Sequence, residues 1–244
     1  MGLFDLEKHF AFYGAYHSNP TNIVIHMIFV WPILFTALVL LYFTPPLFKF
    51  SSIELGDQSV LILNYGFFLT IIYALYYVGL DKKAGFLAAF LCLICWVGSS
   101  FLAHRLGYTL AWKNLALPYV LLKEKLHVWG KCCERAIPNF VYQKGYSCKS
   151  LFCLYWGLLV VLVSQLICWT GQFIGHGVFE VIKRAPALLD NLAQAFLMAP
   201  FFVLLEGLQS AFGYEPYPGF HARVKAKVDA EIKEWKDKKQ NKLS

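Results

Sequence analysis

The chain has 244 residues, is 58% hydrophobic with a mean hydropathy of +0.52, and carries a net charge of +7. A soluble domain is about 45–50% apolar, so this composition excludes an ordinary soluble fold and requires lipid to shield the excess. A basic chain can bind nucleic acid, but no nucleic-acid motif occurs here, and basic residues beside apolar runs set membrane topology and contact anionic lipid.

The expected fold class is all-α: a polytopic membrane helix bundle of four to five spans, with a basic soluble insertion and a charged C-terminal helix. Residues 1–244 read as a single membrane domain. Residues 1–108 form an N-terminal part with three spans, 109–150 the basic insertion, 151–213 a fourth span and a possible fifth, and 214–244 the charged tail. The start, Met1 to Leu6, lacks the Ser or Thr of a myristoylation signal and the basic and apolar regions of a signal peptide, so an internal span is expected to direct sorting.

In chain order, Leu3 to Tyr16 is aromatic-rich with helical apolar spacing and predicts an interfacial helix. Asn19 can cap the next helix, and Pro20 suits its first turn, where the missing N–H is not needed. Spans are expected at about 23–43, 59–80 and 84–103, the last two joined tightly at Asp81-Lys82-Lys83. Residues 104–150 hold eight of the 22 Lys and Arg residues, and Leu110 to Trp129 predicts an amphipathic surface helix. The fourth span is expected at about 151–173, continuing through the Gly175-His176-Gly177-Val178-Phe179-Glu180 segment. Residues 192–213 contain Gln194, Glu206 and Gln209 and are interrupted by Pro200, which favours a re-entrant or peripheral element over a fifth crossing. From Arg223 onward the tail carries eight Lys and Arg residues.

The seven cysteines give no sign of an oxidising compartment. Cys92 and Cys95 form a CxxC inside an apolar run, where packing is the expected role. Cys132, Cys133, Cys148 and Cys153 lie in or beside the polar insertion, a setting that admits S-palmitoylation.

Four of the seven histidines sit at span boundaries: His17, His26, His104 and His176. Polar groups near membrane depth are expensive and usually functional, and neutral imidazole is the commonest metal ligand. A histidine-bound metal at the end of a helix bundle is the expectation. Asn22 and His26 share a helix face at i,i+4. His26 lies roughly 9–10 Å into its helix, so sharing a metal with His17 requires the preceding segment to fold back. Gln172, His176 and Glu180 make a second i,i+4 stripe. Glu180 is a metal ligand or orients His176; its alternative is a water-facing helix end. Arg105, beside His104, is a carboxylate clamp or a snorkelling anchor. If every span crosses, His104 lies on the opposite membrane face from the other three. His9, His127 and His221 read as surface residues.

These segments resemble a known family. Phe12-Tyr13-x-x-Tyr16-His17-x-Asn19-Pro20-x-Asn22-x-x-Ile25-His26, His104-Arg105, Gln172-Phe173-x-Gly175-His176-Gly177-Val178-Phe179-Glu180 and Pro186-Ala187-Leu188-x-Asp190-Asn191-Leu192 are similar, in that order, to the fungal 2-hydroxy-fatty-acid dioxygenase family. The resemblance covers most of the chain; the 109–150 insertion reads as a departure from a shorter fungal form. It implies a multi-pass endoplasmic-reticulum enzyme that uses Fe2+ and O2 to shorten a 2-hydroxy fatty acid by one carbon, in breakdown of the long-chain base phytosphingosine. It also implies His17, His26, His104 and His176 as the iron histidines. Arg105, or the helix start near Asn19, is then expected to hold the substrate carboxylate. Partners are the 2-hydroxy acid, O2 and membrane lipid, with no nucleic acid.

Two rivals stand beside it. Di-iron lipid hydroxylases need dense HxxxH and HxxHH boxes, which the chain lacks. A non-enzymatic membrane scaffold or lipid carrier predicts no iron and tolerance to losing His17, His26 and His176.

Overall fold

A computed structural model describes residues 2–44, 52–54, 60–106, 148–180 and 192–241. The described chain runs α1 (Leu6–Tyr16), α2 (Pro20–Tyr42), β1 (Ser52–Glu54), β2 (Val60–Ile62), α3 (Tyr65–Leu80), α4 (Lys82–Leu106), α5 (Cys148–Ile174) with a closing turn of π-helix (Gly175–Phe179), α6 (Leu192–Phe212) and α7 (Phe220–Gln240). It is an all-α membrane bundle apart from one short antiparallel hairpin, in which Ser52 faces Ile62 and Glu54 faces Val60.

Among the described residues, three helices are long and apolar enough to cross a membrane: Pro20–Tyr42, Lys82–Leu106 and Gly157–Phe179. Tyr65–Leu80 and Phe196–Phe212 are shorter apolar helices. The expected second span therefore begins later than 59, because residues 60–62 pair as a strand. Its 16 residues reach about 24 Å at 1.5 Å per residue, short of a hydrocarbon core of about 30 Å. Large apolar side chains such as Leu75, Phe86, Phe90 and Leu166 are exposed, as lipid-facing residues are.

The chain divides into two compact units. The first comprises Met1–Phe35, Phe68–Cys95 and Ser164–Ser244. Here α3 and α4 meet at Asp81, whose Oδ1 accepts from Ala84 N at 2.7 Å and from the Tyr214 hydroxyl at 2.7 Å. Gly85 permits the close turn: a Cβ there would lie 2.1 Å from the Tyr77 carbonyl oxygen. Cys92 is buried and both CxxC thiols are free, as packing roles require.

Pro200 does not end α6. Its missing N–H leaves the Phe196 carbonyl, four residues earlier, without a helical donor. The Tyr73 hydroxyl supplies one at 2.8 Å, and the Tyr77 hydroxyl bonds the adjacent Leu197 carbonyl at 2.9 Å. The Tyr73 hydroxyl thus satisfies the carbonyl freed by the proline, and Tyr77 adds a second tie to the same turn.

The charged helix α7 lies along α1. Glu7 is paired with Lys227 at 2.5 Å and Arg223 at 3.5 Å, and accepts from the Tyr217 hydroxyl. Beneath these pairs Phe10 meets Phe220 at 5.6 Å between ring centroids.

The second unit comprises Thr36–Phe67 and Trp96–Val163. In it, Asn64 Nδ2 donates to the Leu41 and Tyr42 carbonyls at 3.1 and 3.0 Å, while its Oδ1 accepts from Gly66 N and Phe67 N at 3.0 and 3.2 Å. One side chain therefore closes the end of α2 and opens α3. The amphipathic helix expected at Leu110 to Trp129, the cysteine cluster and His127 lie outside the described residues or side chains.

Candidate metal centre

Three of the four candidate histidines converge. His17, His26 and His176 each offer a ring nitrogen, and these nitrogens lie within 4.8 Å of one another. The ring centroids are 4.3 Å apart for His17–His26, 4.7 Å for His17–His176 and 4.8 Å for His26–His176.

The fold-back that the sequence required is made between α1 and α2. His17 closes α1, with its N–H on the Gly14 carbonyl at 3.2 Å. Residues 17–19 then reverse the chain, and Asn19 Oδ1 caps α2 through Thr21 N at 2.8 Å. His26, one turn after Asn22, points back at His17.

The third ring comes from the end of α5. Gly171 and Gly175 face α2: a Cβ at Gly171 would meet the Phe29 ring at 2.4 Å, and one at Gly175 would meet Asn22 Oδ1 at 2.1 Å. Small residues four apart let two membrane helices approach closely. The π turn over Gly175–Phe179 then carries His176 into the group, and such turns recur at functional sites. The i,i+4 stripe expected for Gln172, His176 and Glu180 is consequently not one regular helix face. Glu180 sits where the backbone has become extended, at φ −83° and ψ 143°.

Hydrogen bonds fix the state of two rings. His17 Nδ1 lies 2.8 Å from the Tyr13 carbonyl and His26 Nδ1 lies 2.9 Å from the Asn22 carbonyl. A carbonyl only accepts, so each contacting nitrogen carries the proton, and a neutral ring presents its other nitrogen as a lone pair. Burial holds the His17 imidazole well below the usual histidine range, reinforced by His26 and then His176, so it is neutral at pH 7. Its Nε2 is buried with no hydrogen-bond partner. An orphaned buried acceptor facing two other imidazoles fits a metal ligand. Nitrogens about 2.1 Å from one ion are at most about 4.2 Å apart, so binding asks only for a slight inward movement of the rings.

Glu180 is 2% exposed and its carboxylate clamps the start of α2. Oε2 accepts from Ser18 N at 3.2 Å and Ser18 Oγ at 2.8 Å; Oε1 accepts from Asn19 N at 3.1 Å and Asn22 Nδ2 at 2.8 Å. The helix start near Asn19, expected to hold the substrate carboxylate, is occupied by this side chain. Asn22 is fully buried, donates also to the Tyr16 carbonyl at 3.3 Å, and leaves Oδ1 unpartnered. Gln172 is buried with Nε2 unpartnered.

His104 and Arg105 end α4 in the second unit, where the Tyr42 hydroxyl lies 3.5 Å from His104 Nδ1 and Arg105 is exposed. His9 and His221 correct the surface reading. His9 is buried, its Nε2 at 3.0 Å from the Gly2 carbonyl. His221 is partly buried, with Nε2 at 3.0 Å from the Tyr214 carbonyl and its ring edge-on to Phe220 at 5.3 Å. Both pin chain segments, His9 from a buried position and His221 from a half-buried one.

Sequence reasoning missed Ser18 as a Glu180 partner and Tyr13 as a support for His17. The Tyr13 ring stacks on His17 at 3.8 Å and 17°, and its hydroxyl donates to Glu206 Oε2 at 3.0 Å. The i,i+4 spacing of Tyr13 and His17 was a visible signal.

A family model described as 2-hydroxy-palmitic acid dioxygenase Mpo1-like matches residues 3–211. The chain is 30% identical over 235 residues to the 2-hydroxy-palmitic acid dioxygenase MPO1 of Saccharomyces cerevisiae, covering 96% of this chain and 94% of that protein. The two matched lengths are nearly equal, so 109–150 is not an addition to a shorter fungal form. No solved structure matches the chain. Over nearly its whole length, the chain belongs to the Mpo1-like family.

Proposed function

We propose that this protein is an Fe2+-dependent dioxygenase of the endoplasmic-reticulum membrane that converts a 2-hydroxy fatty acid to the acid one carbon shorter. The single observation carrying this reading is the convergence of His17, His26 and His176, with backbone carbonyls setting the tautomers of His17 and His26 and His17 Nε2 left without a partner. The name of the yeast relative supplies the substrate class. Iron held by three imidazoles would supply redox chemistry and open positions for O2 and for the hydroxyl and carboxylate oxygens of the substrate. The reaction balances with one O2: carbon 1 leaves as CO2, the hydroxyl-bearing carbon becomes the new carboxyl, and one water forms.

The chain's own residues hold this arrangement. Glu180 and Asn22 lock the start of α2 and therefore the spacing of His17 and His26. Gly175 lets His176 approach. The family resemblance also implies His104 as an iron histidine and Arg105 as the carboxylate clamp; the set proposed from geometry is the three converging rings. Degradation of phytosphingosine is the assigned pathway on the same ground.

The test uses membranes containing the full chain, stripped with a chelator and supplied with 2-hydroxypalmitate under air, with and without Fe2+. Pentadecanoate formed only with iron, and absent for His176→Ala, is expected. Absence of any shortened acid from folded protein that retains no iron would favour a scaffold or lipid carrier.

A further inference from the structure

We infer that Glu206 and Tyr13 form a positioning pair for His17, through which α6 sets the geometry of the metal centre. This rests on the reading of the three histidines as metal ligands.

Glu206 is the one charged residue of α6, a largely apolar helix. A carboxylate there is costly unless hydrogen-bonded. Its Oε2 accepts from the Tyr13 hydroxyl at 3.0 Å, across 193 positions of sequence. The phenol is the donor of this pair, since a tyrosine hydroxyl ordinarily keeps its proton to about pH 10.

Tyr13 supports His17 twice. Its carbonyl receives the His17 Nδ1 proton at 2.8 Å, and its ring lies nearly parallel to the imidazole at 3.8 Å. The first contact fixes which nitrogen is free; the second fixes the plane in which that nitrogen points. Only the second depends on the tyrosine side chain, and it needs the ring held in place. Glu206 ties one end of that ring, and Phe202 packs against it at 5.1 Å between centroids. Both partners come from α6, which is itself pinned to α3 by the Tyr73 and Tyr77 hydroxyls at the Pro200 break. A line of direct contacts thus runs from α3 through α6 and α1 to His17. Groups that orient ligating histidines are worth about 10–100-fold in metal affinity.

The test is anaerobic Fe2+ binding to the purified full chain, by competition with a chelator, without substrate. Apoprotein melting is measured in parallel, and His26→Ala serves as the ligand-loss control. Tyr13→Phe keeps the ring and carbonyl but loses the hydroxyl, and Glu206→Leu loses the acceptor; each is expected to weaken Fe2+ binding about tenfold. Glu206→Gln, whose amide oxygen still accepts, is expected to bind within about twofold of the wild type. The double variant Tyr13→Phe with Glu206→Leu should bind no more weakly than either single change, since both break one interaction. Wild-type affinity in Tyr13→Phe and Glu206→Leu, with His26→Ala impaired, would overturn the inference and leave the metal reading standing. Lower melting temperatures with unchanged affinity would likewise overturn it, as a merely structural pair would behave so. A wild-type chain that binds no Fe2+ would remove the metal reading and the inference together.

Discussion

Asn22 Nδ2 donates to Glu180 Oε1 at 2.8 Å, joining residues 158 positions apart at the point where α2 begins and α5 has just ended. The same carboxylate takes Ser18 N, Ser18 Oγ and Asn19 N. A fully used carboxylate at a helix N-terminus combines charge-assisted hydrogen bonds with the favourable end of the helix dipole. Glu180→Gln turns one acceptor oxygen into an NH2 group facing donors. It should destabilise the protein by about 1–3 kcal/mol and release Fe2+ more readily, read by thermal unfolding in detergent and by metal content after dialysis. Unchanged unfolding would show that the clamp is dispensable.

Gly175 and Gly177 flank His176 but differ in surroundings. A Cβ at Gly175 would lie 2.1 Å from Asn22 Oδ1, whereas one at Gly177 would meet nothing within 4 Å. Gly175→Ala should displace Asn22 or His176 and reduce turnover at least about tenfold, since small misplacements at a reacting centre are that costly. Gly177→Ala should retain turnover within about twofold. Assays of the two variants side by side check this; equal loss would mean the close approach of α5 to α2 is not what places His176.

Tyr73 and Pro200 should be coupled. Tyr73→Phe leaves the Phe196 carbonyl without its donor and should cost about 1–3 kcal/mol. Pro200→Ala restores a backbone N–H for that carbonyl, so Tyr73→Phe should cost markedly less in that background. A double-mutant cycle on unfolding free energies measures the difference; strict additivity would argue against the proposed satisfaction of the break.

Much of the centre is legible in the sequence. His26 and Asn22 share a face by helical spacing, and the need for His17 to fold back follows from the length of a helical turn. The Glu180 partnership was not legible: the anion-attracting start of α2 and the acid at 180 were each visible, but nothing local pairs them. The π turn was equally hidden, because Gly-x-Gly around His176 permits it while the packing of Gly171 and Gly175 on α2 places it. Residues 60–62 read as the start of a span because a short apolar run suits a strand or a helix alike. His9 was misread because burial by the chain's own N-terminus leaves no periodic trace. Glu206 stood out as a lone acid, yet its tyrosine lies at the other end of the sequence.

Acid should loosen α1 from α7. The Glu7 carboxyl is held below its ordinary value of 4.5, first by Lys227, then by the Tyr217 hydroxyl, with Arg223 adding to the effect. A group whose folded pKa is depressed contributes stability that is present above its unfolded value and lost as pH falls through the folded one. Docking of α7 should therefore be intact at neutral pH and weaken below about 4.5. Hydrogen exchange of α7 against pH should show that onset, and Glu7→Gln should be loosened already at neutral pH without it. An onset retained in Glu7→Gln would assign the effect to another carboxylate.

The most direct measurement pairs iron content with turnover in one purified series: the wild type and the single variants His17→Ala, His26→Ala and His176→Ala, each supplied with Fe2+, O2 and 2-hydroxypalmitate. About one iron per wild-type chain with pentadecanoate as product is expected, with loss of both in all three variants. A variant that keeps its iron and its product while lacking any one of these three imidazoles would contradict that expectation.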